Sequence, residues 1–565
     1  MIEIAGEQLL PRRAGARGRL PRMRGMFAAL AVAAVATAAC SSDDTLPKEA
    51  APVPGTTSPT SEATVLPNST DPEELPWGPT VEEYEEAESI VSEMSLEQRA
   101  GQVIVANYSG TEPPVDLIAE LGLGGIIVMA DNIESPEQLR RTADAVQSAD
   151  DRSHPLIMSI DQEGGGVARV REPATEFPSY MSLGAARDPE LAAEVAQASG
   201  EELRAMGFTM VFAPDADVTT GPDDPTIGSR SASSDPTLVS DIVAASVRGY
   251  RDAGIVPVAK HFPGHGSVPA DSHEELPVQR ASLDDLRGRD FVPFRGAVDA
   301  GIPAIMMAHI DLRTVDADTP ASLSGDVADV LRSELEFEGL IVTDALDMAA
   351  VADEHEPGEA AVRALEAGAD IVLMPADVRE AHAAIVEAVD SGRLPEERLE
   401  EAATRGVATM LHQQNTGDDP ELDVLGSHGD LSYRVSLSAL TVVSGECEGP
   451  YVGDSIEVVG GREQDRARLA AAAEAAGLDV GSGDVVRLLG AGDEPAPGDV
   501  VVTMDTPYVL GESEASTARL ALYGRTPAAF RALVDVLRGE ETAHGRLPVD
   551  VDGADQLGCP SSPGR

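Results

Sequence analysis

Eight short apolar runs constrain the fold of this chain more than any other feature. Stretches rich in Ala, Leu, Glu and Arg, which favour helices, separate these runs between residues 102 and 375. Continuous apolar runs that alternate with helices indicate strands buried on both faces of a parallel sheet. Eight such units favour a closed (β/α)8 barrel over the alternative, a doubly wound open sheet. The runs are Gln102–Tyr108, Gly125–Ala130, Leu156–Asp161, Met210–Pro214, Val256–His261, Ala304–His309, Leu340–Asp344 and Ile371–Pro375.

A second pattern begins after about residue 400. Residues 418–431 are polar and rich in turn-forming side chains, which is typical of a connection between domains. The chain is therefore predicted to be α/β throughout, with a barrel over 77–415 and a smaller α/β sandwich domain over 430–565. Beyond the connection we predict two helices, Glu463–Ala476 and Pro527–Gly539, and five strands: Leu440–Ser444, Ile456–Gly460, Val485–Leu489, Val500–Met504 and Leu520–Tyr523.

Residues 1–40 have the features of an export signal. Six arginines precede the apolar run Met26–Ala39, which is too short for a comfortable membrane span and ends in small residues before Cys40. This order resembles the lipobox of bacterial lipoproteins, in which Cys40 would be acylated; a plain secretion signal is the alternative. Residues 41–76 are rich in Pro, Ser, Thr and acidic residues and predict a disordered tether. We therefore expect a lipid-anchored protein outside the cell membrane, or, in the alternative, a secreted one.

The charge and the cysteines exclude several classes of function. There are 41 Lys and Arg against 98 Asp and Glu, a net charge of −57, so nucleic acid and anionic lipid surfaces are excluded as main ligands. Three cysteines are too few for a disulfide scaffold or a cysteine-built zinc site. Cys447 and Cys559 either form a disulfide or remain free thiols, and their spacing does not decide between the two.

Polar and charged residues follow the apolar runs at their carboxyl ends. In a (β/α)8 barrel these ends converge on one face, where the loops form the walls of the active site. One polar strand end is usually a cap or a turn, but five in register indicate a site. The residues are Asp161-Gln-Glu163, Asp215, Asp217, Lys260-His261, His309 and Asp344.

The segment from Lys260 to His273 offers a candidate general acid/base. Its prolines and glycines release the chain from a strand into a loop that ends in Asp271-Ser-His273. A carboxylate two residues before an imidazole can orient it and stabilise its protonated form. A loop histidine beside an Asx-turn is the alternative. Zinc binding by His261 and His265 is disfavoured, because Pro263 and Gly264 interrupt the helix that such spacing requires.

Asp344 is the candidate nucleophile. It closes an apolar strand, so we expect it at the bottom of the pocket and partly desolvated. A carboxylate there, with an acid nearby, suits the cleavage of a glycosidic bond through a covalent intermediate. The alternative is a helix N-cap, with Asp344 just before a helix over Ala345–Val351.

These motifs together resemble glycoside hydrolase family 3, and within it the β-N-acetylglucosaminidase branch. The match covers about residues 90–400, and Lys260–Gly266 followed by Asp271–His273 is similar to the long signature of that branch. The family usually has Gly-Gly-Arg where this chain has Gly164–Gly166. Other segments that resemble the family, in its order, are Asp161–Gly165, Phe212–Asp217, Ile227–Arg230 and Ile341–Asp344, and more weakly Tyr523–Pro527, Gly539–Glu540 and His544–Val549.

The resemblance implies a role for each residue that matches a family motif. Asp344 aligns with the nucleophile, and His273 aligns with the acid/base, supported by Asp271. The residues that align with those that hold the hydroxyls and the acetamido group of N-acetylglucosamine are Asp161, Arg169, Arg230, Lys260 and His261. The implied reaction is hydrolysis of terminal β-linked N-acetylglucosamine with retention, without metal or organic cofactor, by a monomer acting on peptidoglycan fragments or related glycans.

Three other functions stay open at this point. Some relatives with a histidine acid/base accept phosphate instead of water, so a phosphorylase is one alternative. A β-glucosidase is disfavoured by Asp271-Ser-His273, because other branches take a glutamate acid from elsewhere. An inactive lipoprotein that binds wall sugars would need to have lost Asp344 or His273, and the chain retains both.

Overall fold

Eight parallel strands form a closed ring in the computed structural model, which describes residues 74–417 and 419–559. The strands pair in chain order, and a parallel bridge between Val342 and Ile371 joins the seventh to the eighth and closes the ring. The predicted (β/α)8 barrel is therefore confirmed. Its strands are Ile104–Ala106, Gly125–Val128, Ile157–Ile160, Met210–Val211, Val256–Phe262, Ala304–Met307, Leu340–Thr343 and Val372–Leu373.

Both faces of these strands are buried, which explains why they read as continuous apolar runs. Val105 points into the barrel, where it packs with Val258 and Leu340. Its neighbours Ile104 and Ala106 belong instead to the layer between the barrel and its helices. Because side chains alternate along a strand, the barrel needs apolar residues at every position except the strand ends.

Helices surround the barrel. Several start at side-chain caps, and Ser95 forms a capping box with Gln98. None of the helices in the two described ranges is long and apolar enough to cross a lipid bilayer. The helices of this part of the chain are Val81–Glu93, Leu96–Gln102, Val115–Leu121, Pro136–Gln147, Tyr180–Ala186, Pro189–Ala205, Pro236–Asp252, Leu283–Gly288, Phe291–Asp299, Gly325–Glu334, Ala349–Ala352, Pro357–Glu366, Val378–Asp390 and Glu396–Gln414.

Within residues 74–417 and 419–559, two short ladders and five 3-10 turns complete the connections. One ladder pairs Gln162–Gly164 with Val167–Ala168, and the other pairs Val278–Gln279 with Asp311–Leu312. The 3-10 turns are Ala130–Asn132, Gly228–Arg230, Ala321–Leu323, Leu422–Val424 and Tyr508–Gly511.

A six-stranded sheet forms the second domain. Five of its strands match the five predicted runs, and a short sixth, Asp479–Val480, was not predicted. The sequence also did not predict that the connection ends early, in the helix Gly429–Ala439. Two further helices, Glu463–Ala475 and Pro527–Leu537, complete the domain. In spatial order the strands are Thr441–Ser444, Ala515–Ala521, Gly498–Thr503, Asp484–Leu489, Ser455–Gly460 and Asp479–Val480, and only the first pair is antiparallel.

The two faces of this sheet are covered differently. Val500 and Val502 pack under Phe530 of the domain's last helix, whereas Val501 faces the other way. On that other side the sheet packs against Met181, from the barrel helix Tyr180–Ala186. The smaller domain is thus an α/β sandwich whose second helical layer comes partly from the barrel.

Polar contacts also join the barrel to the second domain. Ser179 donates its hydroxyl to the carbonyl of Tyr523 at 2.9 Å, and Arg468 pairs with Glu176 at 2.6 Å. Cys447 and Cys559 form a disulfide, which decides between the two alternatives left open above. The predicted export signal, Cys40 and the tether as far as residue 73 lie outside the described residues.

Candidate active site

A cavity of about 370 Å³ opens at the carboxyl ends of the barrel strands. It is lined by the candidate nucleophile Asp344, by His273 and by all five candidate sugar-binding residues. The barrel thus brings together side chains that are more than 180 positions apart in the sequence. The catalytic and binding roles of these residues remain predictions. The geometry of the cavity shows which contacts each side chain makes.

Lys260 and His261 reach the cavity from the strand Val256–Phe262. Val256 and Val258 point into the barrel, so strict alternation would turn Lys260 inward and His261 outward. The pairing with the next strand shifts register between Ala259 and Phe262, and both side chains line the cavity. A register shift of this kind re-aims side chains next to functional sites.

The lysine lies between two carboxylates. Its Nζ is 2.7 Å from Oδ1 of Asp161 and 2.7 Å from Oε1 of Glu163. Burial by itself lowers the pKa of Lys260, but Asp161 and Glu163 raise it above the ordinary value. Lys260 is therefore a fixed cation, and Asp161 is held with one oxygen towards it.

Arg230 makes a two-pronged contact with Glu163. Its Nε and Nη2 donate to the two carboxylate oxygens at 2.9 and 2.8 Å. Burial by itself raises the pKa of Glu163, but Arg230 and Lys260 outweigh it and hold this pKa below its ordinary value. Arg230 ends the 3-10 turn Gly228–Arg230. Its two hydrogen bonds to Glu163 fix the direction of its side chain towards the cavity.

Arg169 is held less tightly than Arg230. Its Nη2 is 3.5 Å from Oδ2 of Asp161, and about a third of its side chain is exposed, 31%. It follows the short ladder that encloses Gly164–Gly166, the segment in which the resemblance predicts an arginine that this chain lacks. A Cβ atom added at Gly166 would meet no atom within 4 Å, so the missing side chain leaves open space.

His261 is oriented by the buried Asp217, and the buried Asp215 lies beside the pair. Its Nδ1 lies 2.6 Å from Oδ2 of Asp217. Burial raises the pKa of Asp217, but His261 and the main-chain N–H of His265 hold it below its ordinary value. Burial and the neighbouring charge of Asp217 raise the pKa of Asp215 well above its ordinary value. The pKa values of the two aspartates are thus shifted in opposite directions, and Asp217 is the hydrogen-bond partner of His261.

Asp215, Asp217 and His261 also have the spacing of a metal site, since one ligand atom from each lies within 4.8 Å of the others. The donor set does not fit an ion, however. Nδ1 of His261 is already bonded to Asp217, and Nη2 of Arg230 lies 3.5 Å from Asp215 and 3.2 Å from Nε2 of His261. Because the guanidinium already supplies the positive charge, we assign no metal here.

Asp344 follows the seventh strand and is half-buried at the cavity wall. The helix after it is Ala349–Ala352, with Met348 as its N-cap, so the alternative of Asp344 as a helix N-cap is wrong. Its Oδ1 accepts from the N–H of Ala345 at 2.8 Å. Burial raises the pKa of Asp344, but His309, His261 and that N–H outweigh it and lower this pKa. The carboxylate is therefore ionised and able to act as a nucleophile.

His273 lies at the rim rather than at the base of the cavity. Its Nδ1 is 2.8 Å from Oδ1 of Asp271, which also accepts the main-chain N–H of His273 at 2.9 Å. The Asx-turn alternative and the predicted orienting contact are thus both present. The side chain of His273 is 66% exposed, in contrast to the buried charges below it.

Several residues of the site were not assigned a role from the sequence. Glu163 and Asp217 were noted only as polar strand ends, yet they orient Arg230, Lys260 and His261. Asp347, three positions after Asp344, also lines the cavity. In the sequence these residues are recognisable by their position after a barrel strand. That position puts a residue on the face of the barrel that holds the cavity, but it does not identify the residue's partner.

Comparison with known proteins gives a family match over most of the barrel. The model of the "Glycosyl hydrolase family 3 N terminal domain" matches residues 95–409. Beta-hexosaminidase A of Pseudoalteromonas piscicida is 35% identical over 384 residues, which cover 62% of this chain and 64% of that protein. The chain therefore spans slightly less than two thirds of that relative. A beta-hexosaminidase of Alkalilimnicola ehrlichii is 41% identical over 265 residues, 46% of this chain and 75% of that protein.

A solved structure resembles both domains. It is a family 3 beta-N-acetylglucosaminidase from Paenibacillus sp. str. FPU-7, 31% identical, with a TM-score of 0.73. The superposition covers 82% of this chain and 100% of that one. The likeness thus extends beyond the barrel into the smaller domain.

Proposed function

Because the chain belongs to glycosyl hydrolase family 3, we propose that it is a β-N-acetylglucosaminidase that hydrolyses terminal β-linked N-acetylglucosamine. One observation carries the proposal: Asp344, His273 and five paired polar side chains line the same cavity. The names of the relatives above, two beta-hexosaminidases and a beta-N-acetylglucosaminidase, support the substrate class. A single sugar ring fits a cavity of about 370 Å³.

The charged pairs at the base of the cavity suit sugar recognition. Asp161 accepts hydrogen bonds from sugar hydroxyls, while Lys260, Arg230 and Arg169 donate to hydroxyl and acetamido oxygens. These side chains are held by each other before the sugar arrives, as in the contact of 2.7 Å between Lys260 and Asp161. Binding therefore costs little side-chain entropy and favours one orientation of the ring.

In the first step Asp344 attacks the anomeric carbon. The bond between that carbon and the leaving oxygen breaks, and the leaving oxygen takes the proton from imidazolium His273. Asp271 supports this role, because a carboxylate 2.8 Å from Nδ1 stabilises the protonated ring. The products are the free aglycone and a glycosyl ester on Asp344.

In the second step water replaces Asp344. Neutral His273 takes a proton from the water molecule while the water oxygen attacks the anomeric carbon, and the ester bond to Asp344 breaks. The sugar leaves with its configuration retained, Asp344 is again a carboxylate and His273 is again protonated. No metal or organic cofactor takes part in this proposal.

We also propose that the protein works outside the cell membrane, as a lipoprotein acylated at Cys40, on peptidoglycan fragments or related glycans. The disulfide between Cys447 and Cys559 supports this location, because such bonds persist in oxidising compartments and are rare in the cytosol. Radiolabelled palmitate incorporation in a bacterial host, lost on Cys40→Ser, tests the anchor. Label retained by that variant would contradict it.

The reaction is tested with 4-nitrophenyl N-acetyl-β-glucosaminide beside the glucoside, with and without added phosphate. We expect turnover of the N-acetyl substrate, independent of phosphate, with the β anomer formed first in proton NMR. Asp344→Asn should lower kcat by about 10³-fold or more, since it removes the nucleophile. Asp347→Asn, which changes another carboxylate of the same cavity, should lower it by less than about tenfold.

Three outcomes would contradict the proposal in different ways. Preference for the glucoside would place the protein in another branch of the family. A sugar phosphate as the product would indicate phosphorolysis. Equal activity of Asp344→Asn and the wild type would exclude Asp344 as the nucleophile.

A further inference from the structure

We propose that His265 is a positioning residue, whose imidazole holds Ser272 and thereby fixes the acid/base His273 at the rim of the cavity. The inference rests on the proposed function, because it takes His273 as the residue that transfers the proton. It adds a residue to which no catalytic step has been assigned.

Ser272 is the buried anchor of an otherwise exposed loop. It is 1% exposed, whereas the side chains of its neighbours Asp271 and His273 are 34% and 66% exposed. Its Oγ lies 2.9 Å from Nε2 of His265, which is itself 1% exposed and lines the cavity. The hydrogen bond between these two side chains therefore ties the acid/base pair to the interior.

His265 is in turn fixed from the sugar side of the site. Its main-chain N–H donates to Oδ1 of Asp217 at 2.5 Å, and the other oxygen of Asp217 lies 2.6 Å from Nδ1 of His261. The rings of His265 and His261 meet edge to face, with centroids 5.8 Å apart. One carboxylate thus positions both the sugar-binding histidine and the histidine that holds the loop.

The protonation state of His265 sets the direction of the hydrogen bond. Among the described residues, its Nδ1 is buried without a hydrogen-bond partner. A neutral ring with its hydrogen on Nε2 leaves only an acceptor unpaired, whereas a protonated ring would bury an unpaired N–H, which costs more. Burial and the nearby His261 lower the pKa of His265, in agreement with the neutral form. Nε2 of His265 therefore donates to Ser272.

A second contact ties the same serine to the nucleophile's side of the cavity. The carbonyl of Ser272 accepts from the N–H of Ala350 at 3.3 Å, in the helix that follows Asp344. Ser272 is thus held by its hydroxyl and by its backbone. Loss of the hydroxyl contact should loosen His273 while leaving Asp344 and the sugar-binding pairs in place.

The test uses substrates that differ in their need for a proton. A 2,4-dinitrophenyl leaving group departs as a stable anion, whereas the second sugar of N,N′-diacetylchitobiose must be protonated as it leaves. General acid catalysis contributes about 10² to 10⁴ in rate, so a misplaced acid slows the first step, which kcat/KM reports, strongly only for the second substrate. We compare kcat and KM of both substrates for the full-length wild type, Ser272→Ala, His265→Leu and His265→Gln.

We expect Ser272→Ala and His265→Leu to lower kcat/KM on chitobiose by about 10- to 100-fold and on the dinitrophenyl substrate by less than about threefold. On the dinitrophenyl substrate kcat is set by the second step and should fall as well, because His273 acts there as the base. His265→Gln keeps an N–H donor near the position of Nε2 and should recover part of the loss. Ser267→Ala is the matched control. Ser267 lies on the same loop, but its hydroxyl accepts from Nε2 of Gln279, in the strand Val278–Gln279, at 2.6 Å, so its loss should not discriminate between the substrates.

An equal loss of kcat/KM on both substrates, or none on either, in Ser272→Ala would overturn the positioning role of His265. Failure of the proposed function has a different signature. In that case the wild type turns over neither substrate, or His273→Ala shows no greater loss of kcat/KM on chitobiose than on the dinitrophenyl substrate. The Gln and Ala variants change few atoms, so the comparison remains decisive even where His265→Leu does not fold.

Discussion

Asp215 and Asp217 are two buried carboxylates, two positions apart, whose pKa values are shifted in opposite directions. Asp217 accepts from His261 and from the backbone of His265, so its pKa is lowered. Asp215 accepts only the main-chain N–H of Asp217, at 3.0 Å, and its other oxygen has no hydrogen-bond partner among the described residues. Its pKa is raised by burial and by the charge of Asp217.

Replacement of each aspartate by asparagine should therefore change the unfolding free energy by a different amount. Asp217→Asn removes charged hydrogen bonds and should cost about 1.5–3 kcal/mol of unfolding free energy at pH 7. Asp215→Asn should cost far less and should become relatively more stable as the pH rises. The folded wild type holds a proton on Asp215 that the unfolded chain releases above its ordinary pKa, so its stability falls through that range, whereas asparagine has no such penalty.

Urea unfolding of both variants and the wild type at pH 4.5 and 7 measures these differences. A larger loss for Asp215→Asn than for Asp217→Asn at pH 7 would reverse the assignment of the proton. The unfolding slope should stay the same in all three proteins, because neither change alters the buried area.

Sequence reasoning located the residues of the candidate site but not their contacts. The strand-end pattern and the family resemblance brought Asp344, His273 and Lys260 to one cavity, where the structure also has them. The partners were missed because they depend on distances across the barrel: Glu163 and Arg230 are 67 positions apart and 2.8 Å from each other. Spacing along the chain cannot predict such a pair.

At the scale of elements, all eight predicted barrel strands exist, but most are shorter than the apolar runs that predicted them. The run Ile371–Pro375 contains the strand Val372–Leu373, for example. After the last residue that pairs in the sheet, the next side chains are still buried between the barrel and its helices. The apolar run therefore extends beyond the end of the strand. At the connection between the domains the prediction missed an element instead. The helix Gly429–Ala439 begins within the predicted polar stretch 418–431 and buries Leu431 and Val435.

The helix Tyr180–Ala186 packs closely against the segment that carries Arg230. A Cβ atom added at Gly184 would lie 1.7 Å from the carbonyl oxygen of Ala232. Gly184→Ala must therefore displace backbone, and we expect a loss of about 1–3 kcal/mol or more in unfolding free energy. Because Ala232 is two positions after Arg230, KM for the N-acetyl substrate should rise as well.

Gly288→Ala is the matched control for this change. Gly288 ends the helix Leu283–Gly288, and a Cβ atom there meets no atom within 4 Å. Its effect should stay within about 0.5 kcal/mol, with KM unchanged. Thermal unfolding and steady-state kinetics of the two variants test the expectation, which fails if they behave alike.

At the scale of the whole molecule, the barrel helix Tyr180–Ala186 belongs to both domains. It covers one face of the six-stranded sheet through Met181 and Ala185. The predicted α/β sandwich is confirmed, but the source of this layer was not predictable, because a pattern of strands and helices does not identify which neighbour covers which face. The disulfide was undecided for a similar reason: the Cα atoms of Cys447 and Cys559 lie 5.6 Å apart only in the folded chain.

The disulfide should stabilise the second domain without affecting the chemistry. It joins residues 112 positions apart, and removal of such a bond typically costs about 2–5 kcal/mol. The double variant Cys447→Ser, Cys559→Ser should unfold at lower guanidinium concentration, with kcat near that of the wild type at 25 °C. Reductant should lower the midpoint of the wild type and leave that of the variant unchanged; a variant as stable as the wild type would contradict the prediction.

The exposure of His273 at the rim has a consequence for the catalytic cycle. In the proposed reaction this ring gives up a proton and regains one in every turnover, and bulk water contacts it directly. Its proton can therefore exchange with buffer between turnovers without a relay of side chains through the barrel. The side chains of Lys260 and Glu163 beneath it, by contrast, are 3% and 1% exposed, so this direct exchange is restricted to the rim of the cavity.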